Sequence, residues 1–293
     1  MPRTADAPAD AGTGSAAGAA GAVASVVALH VYPVKSCAGL ELARAPLTTT
    51  GLAHDRHWMI VRPGGRFVTQ RELPRLALIG AALEPDALVL SAPGRTPLRH
   101  PLATVGRPCA VVIWRDACAG LDQGEEAAHW LSEHVGEPLR LVAFDESEPR
   151  IVDPHYTGSG GFVTQFSDGY PLLLIGAASL ADLNARLPAP LPMNRFRPNL
   201  VLDGLPAYAE DQIHELRAPG ISLRLVKPCT RCSITATDQA RGALDGEEPL
   251  RTLRRYRWDH ALHGVAFGQN AIVVAGAGRE LSRGQRLEVV WKP

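Results

Sequence analysis

The feature that most constrains this chain is a rhythm of short, β-branched apolar runs cut by proline and glycine. Val26 to Tyr32 is one such run, and Pro33 stops it. Trp58-Met59-Ile60-Val61 and Phe67-Val68-Thr69 flank Pro63-Gly64-Gly65, the pattern of two strands joined by a turn. Leu88-Val89-Leu90, Ala110 to Trp114 and Leu139 to Phe144 continue the series. So do Leu172 to Ile175, Asn199 to Leu202, Leu223 to Val226, Ala271 to Val274 and Leu287 to Trp291. Runs of this length and composition suit a pleated, half-buried strand, and many of them between turns point to a barrel or sandwich. Helical signals are few. Gly124 to Val135 fits a helix with Asp122 as its cap. Ser179 to Leu187 puts Leu180, Leu183 and Leu187 on one face, and a short basic helix begins near Pro249. With no β-α-β rhythm, the fold class is strand-rich α+β.

Residues 145–165 are polar, contain Pro and Gly, and lack periodicity. They are the expected boundary between a module at 26–145 and a second at 146–293. Residues 1–25 hold almost no large apolar side chains, so they cannot offset their ordering entropy and should form a disordered tail. Lysines plus arginines balance aspartates plus glutamates, 30 against 30. No global electrostatic argument then favours nucleic acid or an anionic membrane surface. No run of about 18 strongly apolar residues occurs, so no membrane span is expected. Five cysteines, an odd and sparse set, do not make a disulfide framework and favour a reducing compartment.

Two of those cysteines sit in Lys227-Pro228-Cys229-Thr230-Arg231-Cys232. A thiolate is a nucleophile or a metal ligand, and a neighbouring guanidinium favours it. Spacing alone leaves three readings open. A redox pair wants its first cysteine at a helix N-terminus, whereas residues 233–238 alternate like a strand. A zinc site wants a second close pair of ligands, for which His54 and His57 are the nearest candidates. Two simply buried cysteines are the third. Cationic loops beside strand ends stand elsewhere in the chain: Tyr32 to Gly39 with Lys35 and Ser36, Asp55-Arg56-His57-Trp58, and Asn194 to Asn199 with Arg195 and Arg197. Each alone reads as solvated charge, but together they are what a phosphate-bearing cofactor needs. A Walker-type loop and a dinucleotide G-x-G-x-x-G after a strand are absent.

Eight short motifs in order carry a resemblance. They are Y-P-V-K-S-C at 32–37, D-R-H-W-M at 55–59, F-V-T-Q-R-E-L-P-R-L at 67–76 and F-S-D-G-Y-P at 166–171, then N-R-F-R-P-N at 194–199, A-E-D at 209–211, C-T-R-C at 229–232 and F-G-Q-N at 267–270. From about Val26 to the C-terminus the chain resembles MOSC-domain proteins with an N-terminal MOSC β-barrel module, close to the bacterial relatives of the mitochondrial amidoxime-reducing component. The resemblance implies an N-terminal β-barrel-like module packed with a C-terminal MOSC β-barrel domain carrying a few helices. It also implies a molybdenum cofactor, a metal held by a molybdopterin dithiolene, with Cys232 as the protein's metal ligand. Thiolate suits such a soft, redox-active centre. By the same matching, Lys35, Ser36, Arg56 and Arg197 grip the pterin and its phosphate. Asn199, Thr230, Arg231 and Asn270 add hydrogen bonds, and Asp168-Gly169-Tyr170 lies against the cofactor. Cys229 is then a neighbour of the site or simply buried.

The activity implied is reduction of small N-hydroxylated compounds such as amidoximes, hydroxamic acids or N-hydroxylated base analogues. The chain ends at Pro293 without four cysteines in iron–sulfur spacing, so electrons are expected from a separate ferredoxin or flavoprotein reductase. The N-terminal segment lacks the apolar content of an anchor, and a cytoplasmic protein is expected. The alternative the resemblance allows is a sulfur carrier or cofactor-handling protein in molybdenum cofactor sulfuration.

Overall fold

The computed structural model describes residues 21–103 and 105–293. Most of the expected tail therefore lies outside the described residues. The first strand, Val23–Val31, begins three residues before the expected start at Val26.

Seven strands close into a barrel. Around it run Leu172–Gly176, Leu200–Asp203, Val23–Val31, Arg286–Trp291, Ile213–Ala218, Ile221–Thr230 and Gly264–Ala275, which pairs back onto Leu172–Gly176. One junction is parallel, Leu174 opposite Leu200, and the rest are antiparallel. Closure leaves these strands no free edge. Val23–Val31 therefore pairs with strands of the second half, across the boundary expected near residue 145. Its buried residues change phase along the way: Ala24 and Val26 point inward, then Leu29 and Val31. A register shift between Val26 and Ala28 explains this, because a bulged Val27, 39% exposed, inserts one residue into the alternation. The interior is filled by Leu29, Leu174, Leu200, Leu216, Leu223, Leu225, Ala271 and Leu287.

The first half builds two further sheets. One has four strands in the order Trp58–Val61, Arg140–Phe144, Asp116–Asp122, Arg107–Ile113. The other has Gly80–Leu83, Ala87–Ser91 and Leu98–Pro101. Trp58, Ile60, Leu88, Leu90 and Leu141 share one core with Ala127 and Leu131 of the helix Glu125–Val135. The opposite face of the four-stranded sheet packs Met59, Val61, Val111, Phe144 and Phe166. Buried on both faces, Trp58–Val61 reads as a continuous apolar run instead of an alternating one. Among the described residues there are four α-helices, and none is long and apolar enough to cross a membrane.

Local expectations differ from the structure at three points. The helix at 125–135 has Gly124 at its N-cap, while the Asp122 carboxylate accepts from the Gly124 N–H and pairs with Arg140. Phe67 makes only a single bridge to Val61, so the 63–65 turn joins a strand to a loop. After Cys232 the chain turns into a 3-10 helix, Ser233–Ala236, with Cys232 as its cap, and only Thr237–Asp238 is strand. The alternation of Ser-Ile-Thr-Ala is compatible with either backbone, so the pattern alone did not decide.

Candidate functional site

One cleft gathers every residue that the resemblance sets against the cofactor, while Arg195 of the same cationic loops pairs with Asp245 instead. Lys35, Ser36, Arg56, Asp168, Gly169, Tyr170, Arg197, Asn199, Thr230, Arg231, Cys232 and Asn270 all line it. Thr69, Arg71, Ser167 and Thr235 line it too. Lys35, Ser36 and Arg56 come from turns of the first half. Thr230 ends the barrel strand Ile221–Thr230, and Asn270 belongs to Gly264–Ala275. His54 and His57 line a different cavity, with Glu146 and Gln165, and are not beside the cysteines.

The backbone here is held in unusual conformations. Among the described residues seven non-glycine residues have positive φ, and Ser36, Arg56 and Arg197 are three of them. Such conformations cost energy and persist only where the surroundings fix them. The Tyr32 ring supplies much of that fixing. The guanidinium carbons of Arg56 and Arg197 each lie 4.2 Å from its centroid. Its hydroxyl donates to the Pro198 carbonyl at 3.1 Å. Arg56 pairs with the buried Asp55 at 2.5 Å and donates to Asn199 Oδ1 and to the Arg197 carbonyl, both at 3.2 Å. Asn199 ties strands together as well: Oδ1 accepts from the Leu173 N–H and Nδ2 donates to the His30 carbonyl. It is chiefly a brace beneath the cleft.

Charge is strongly one-sided. Five cations line the cleft, Lys35, Arg56, Arg71, Arg197 and Arg231, against the single carboxylate Asp168. Lys35 Nζ donates to Asp168 Oδ1 at 2.6 Å and to the Phe166 carbonyl at 2.8 Å. Burial pulls the Lys35 ammonium below its ordinary range, with Asp168 opposing. With Asp55 on Arg56 and Asp168 on Lys35, three guanidiniums remain without a carboxylate among the described residues. Arg197 is the most demanding. It is buried, its Nη2 has no hydrogen-bond partner, and burial pulls it down to about 10, still charged at neutral pH. The Arg231 Nε and the Tyr170 hydroxyl are likewise buried and unpartnered. Burial of polar groups without partners costs free energy, and these three atoms are donors that a polar ligand in the cleft could satisfy.

The two cysteines are not equivalent. Arg231 Nη1 donates to Cys229 Sγ at 3.0 Å while its Nη2 donates to the Phe196 carbonyl at 2.6 Å, so this guanidinium serves Cys229. Cys232 is served by Arg71, whose Nη1 lies 3.3 Å from its Sγ. Both thiols are free. Arg71 belongs to the F-V-T-Q-R-E-L-P-R-L run, which served above only as a family marker. Its reach to Cys232 spans 161 residues, which no local pattern reveals.

Family models fit this architecture. The MOSC N-terminal beta barrel domain matches residues 23–138, and the MOSC domain matches residues 162–288. The chain is 37% identical over 248 residues to mitochondrial amidoxime-reducing component 1 of Homo sapiens, covering 80% of this chain and 72% of that protein. The chain belongs to the MOSC family. Component 1 of Mus musculus is 36% identical over 273 residues, covering 84% and 77%, and component 2 of Homo sapiens is 35% identical over 248, covering 80% and 73%. Among solved structures, the YUAD protein from Bacillus subtilis aligns over 92% of this chain and 97% of its own at 11% identity, with a TM-score of 0.44. The MOSC assignment does not rest on it. Within the MOSC match fall Asp168, Arg197, Asn199, Arg231, Cys232 and Asn270, while Lys35, Ser36, Arg56 and Arg71 fall in the N-terminal match. The cleft thus draws on both matched domains.

Proposed function

We propose that this protein is a molybdenum-cofactor-dependent reductase of N-hydroxylated compounds, amidoximes first among them. Its relatives are named as amidoxime-reducing components. The observation that carries the reading is the convergence on one cleft of a thiol, Cys232, with buried cationic and polar side chains that keep a donor atom unpartnered among the described residues. Those groups fit a molybdopterin: Arg197 Nη2, Arg231 Nε and the Tyr170 hydroxyl are donors for an anionic, polar ligand. Gly169 leaves the cleft open, since a Cβ there would meet nothing within 4 Å. Cys232 would hold the metal.

When bound, the cofactor would supply two-electron redox chemistry for removing the oxygen of an N–OH group. Overall, an amidoxime plus two electrons and two protons gives an amidine and water. Arg197, Arg56 and Lys35 bind the anionic end, and the Lys35–Asp168 pair keeps the 166–170 loop against the cleft. Arg71, in contact with Cys232 Sγ, orients the thiolate and sets the local charge beside it. Electrons would come from a separate ferredoxin or flavoprotein reductase. Five free cysteines fit a reducing compartment, and we take the cytoplasm as the site of action.

The test is turnover. Protein produced in a host that makes the cofactor should convert an amidoxime to the amidine with an artificial one-electron reductant. A protein that carries the metal but reduces no N-hydroxylated compound would instead support a role in cofactor sulfuration or handling.

A further inference from the structure

The hairpin between Arg107–Ile113 and Asp116–Asp122 turns on two residues, Trp114 and Arg115, with Ile113 opposite Asp116. A two-residue hairpin turn needs positive φ at its first central position and is normally made with glycine, asparagine or aspartate. Trp114 occupies that position at φ 57°. A bulky side chain there is a true outlier, and such strain tends to sit where function holds it. The indole is also 50% exposed, although it is large and apolar enough to belong in a core.

Its surroundings say what the exposure serves. Trp114 Nε1 donates to Asp168 Oδ1 at 3.2 Å, so the polar edge of the ring points at the cleft. The Arg71 guanidinium lies 4.3 Å from the ring centroid, and Phe67 meets it edge-on at 5.3 Å and 65°. Arg71 in turn reaches Cys232 Sγ. The indole is therefore braced at one guanidinium's length from the thiol, with half of its surface left to solvent.

We propose that Trp114 is the platform on which the planar, aromatic part of an N-hydroxylated substrate lies, making this protein selective for aryl over alkyl amidoximes. The inference rests on the function proposed above. An aryl ring stacked on the exposed indole surface would bring its N–OH group toward Cys232, past the cationic Arg71. A small alkyl amidoxime gains nothing from the platform. Aromatic stacking separates the two classes by about three- to tenfold.

The experiment compares the wild type with Trp114→Ala and Trp114→Phe, using benzamidoxime and acetamidoxime. Two readouts are taken on cofactor-loaded protein. The first is the ratio of kcat/KM for the two substrates. The second is calorimetric binding of each oxime with the reductant omitted, when no turnover occurs. Trp114→Ala should lose the aryl preference about three- to tenfold in both readouts, and Trp114→Phe should keep it within about twofold. Phenylalanine preserves a ring but not the N–H to Asp168, so an indole that merely braces Asp168 would make the two variants equally impaired. That outcome overturns the proposal, as does an unchanged aryl preference in Trp114→Ala. Should Trp114→Ala fail to fold, a preference lost in Trp114→Phe overturns it and a preference kept there supports it. If the wild type turns over neither oxime, the reductase reading fails. The binding readout then still decides the platform, because aryl-selective binding lost in Trp114→Ala supports it and its absence in the wild type overturns it.

Discussion

Replacing Arg197 by methionine should move stability and cofactor retention in opposite directions. Arg197 is 9% exposed, and its guanidinium has no carboxylate partner among the described residues and leaves Nη2 unpaired. Burial pulls it down to about 10 from an ordinary value of 12.5. Keeping it charged in that environment, relative to water, therefore costs about 3 kcal/mol at neutral pH. Its stack on Tyr32 returns about 1 kcal/mol, and methionine keeps most of the apolar stem contact. Arg197→Met should thus stabilise the cofactor-free protein by about 1–2 kcal/mol, a rise in Tm of about 2–6 °C for a chain of this size. Cofactor retention should fall at least tenfold, because a charge-assisted hydrogen bond of about 1.5–3 kcal/mol is lost. The sign with pH is fixed as well. The native pKa lies below the unfolded one, so the cost is fully present below pH 10 and is relieved as pH rises from there toward 12.5. The stability gap between variant and wild type should shrink above pH 10. The assay is thermal unfolding of cofactor-free protein, paired with molybdenum content after gel filtration. A variant that melts lower than the wild type yet retains the metal would refute the reasoning, since Arg197 would then be structural.

Two further outcomes follow from the same geometry. Gly169→Val adds a side chain that meets nothing within 4 Å at its Cβ, so Tm should stay within about 1 °C by thermal melt while molybdenum content drops as the cleft fills. Glu210 is buried, and burial raises its pKa against the pull of the Gly176 N–H and the Ser179 hydroxyl. The native state therefore holds this proton more tightly than the unfolded chain. Its contribution to stability is present below the unfolded value near 4.5 and is lost as pH rises through the native one. Glu210→Gln should flatten that part of the stability profile in denaturant titrations from pH 4 to pH 8.

Chemistry was more legible in the sequence than geometry. Residue types that bind anions and soft metals stood in short motifs at predicted strand ends, and the fold brought Lys35, Arg56, Arg197 and Cys232 to one cleft. Partners set by side-chain reach were not legible. Arg231 adjoins Cys232 in sequence yet serves Cys229, while Cys232 is met by Arg71 from the other half of the chain. Nor could periodicity reveal that Val23–Val31 closes the second half's barrel, because pairing between residues such as Ser25 and Asp203 is decided by non-local packing. The strain at Trp114 was hidden for the opposite reason. Its run reads as a strand to the end, and only the backbone shows the turn starting one residue early.

The central claim is that Cys232, and not Cys229, holds a molybdenum cofactor in this cleft. Molybdenum content of purified wild type, Cys232→Ala and Cys229→Ala, expressed in a cofactor-competent host, tests it most directly. The account predicts about one molybdenum per chain in the wild type, most of it kept in Cys229→Ala and lost in Cys232→Ala. Equal metal content in the two variants, or none in the wild type, would contradict it.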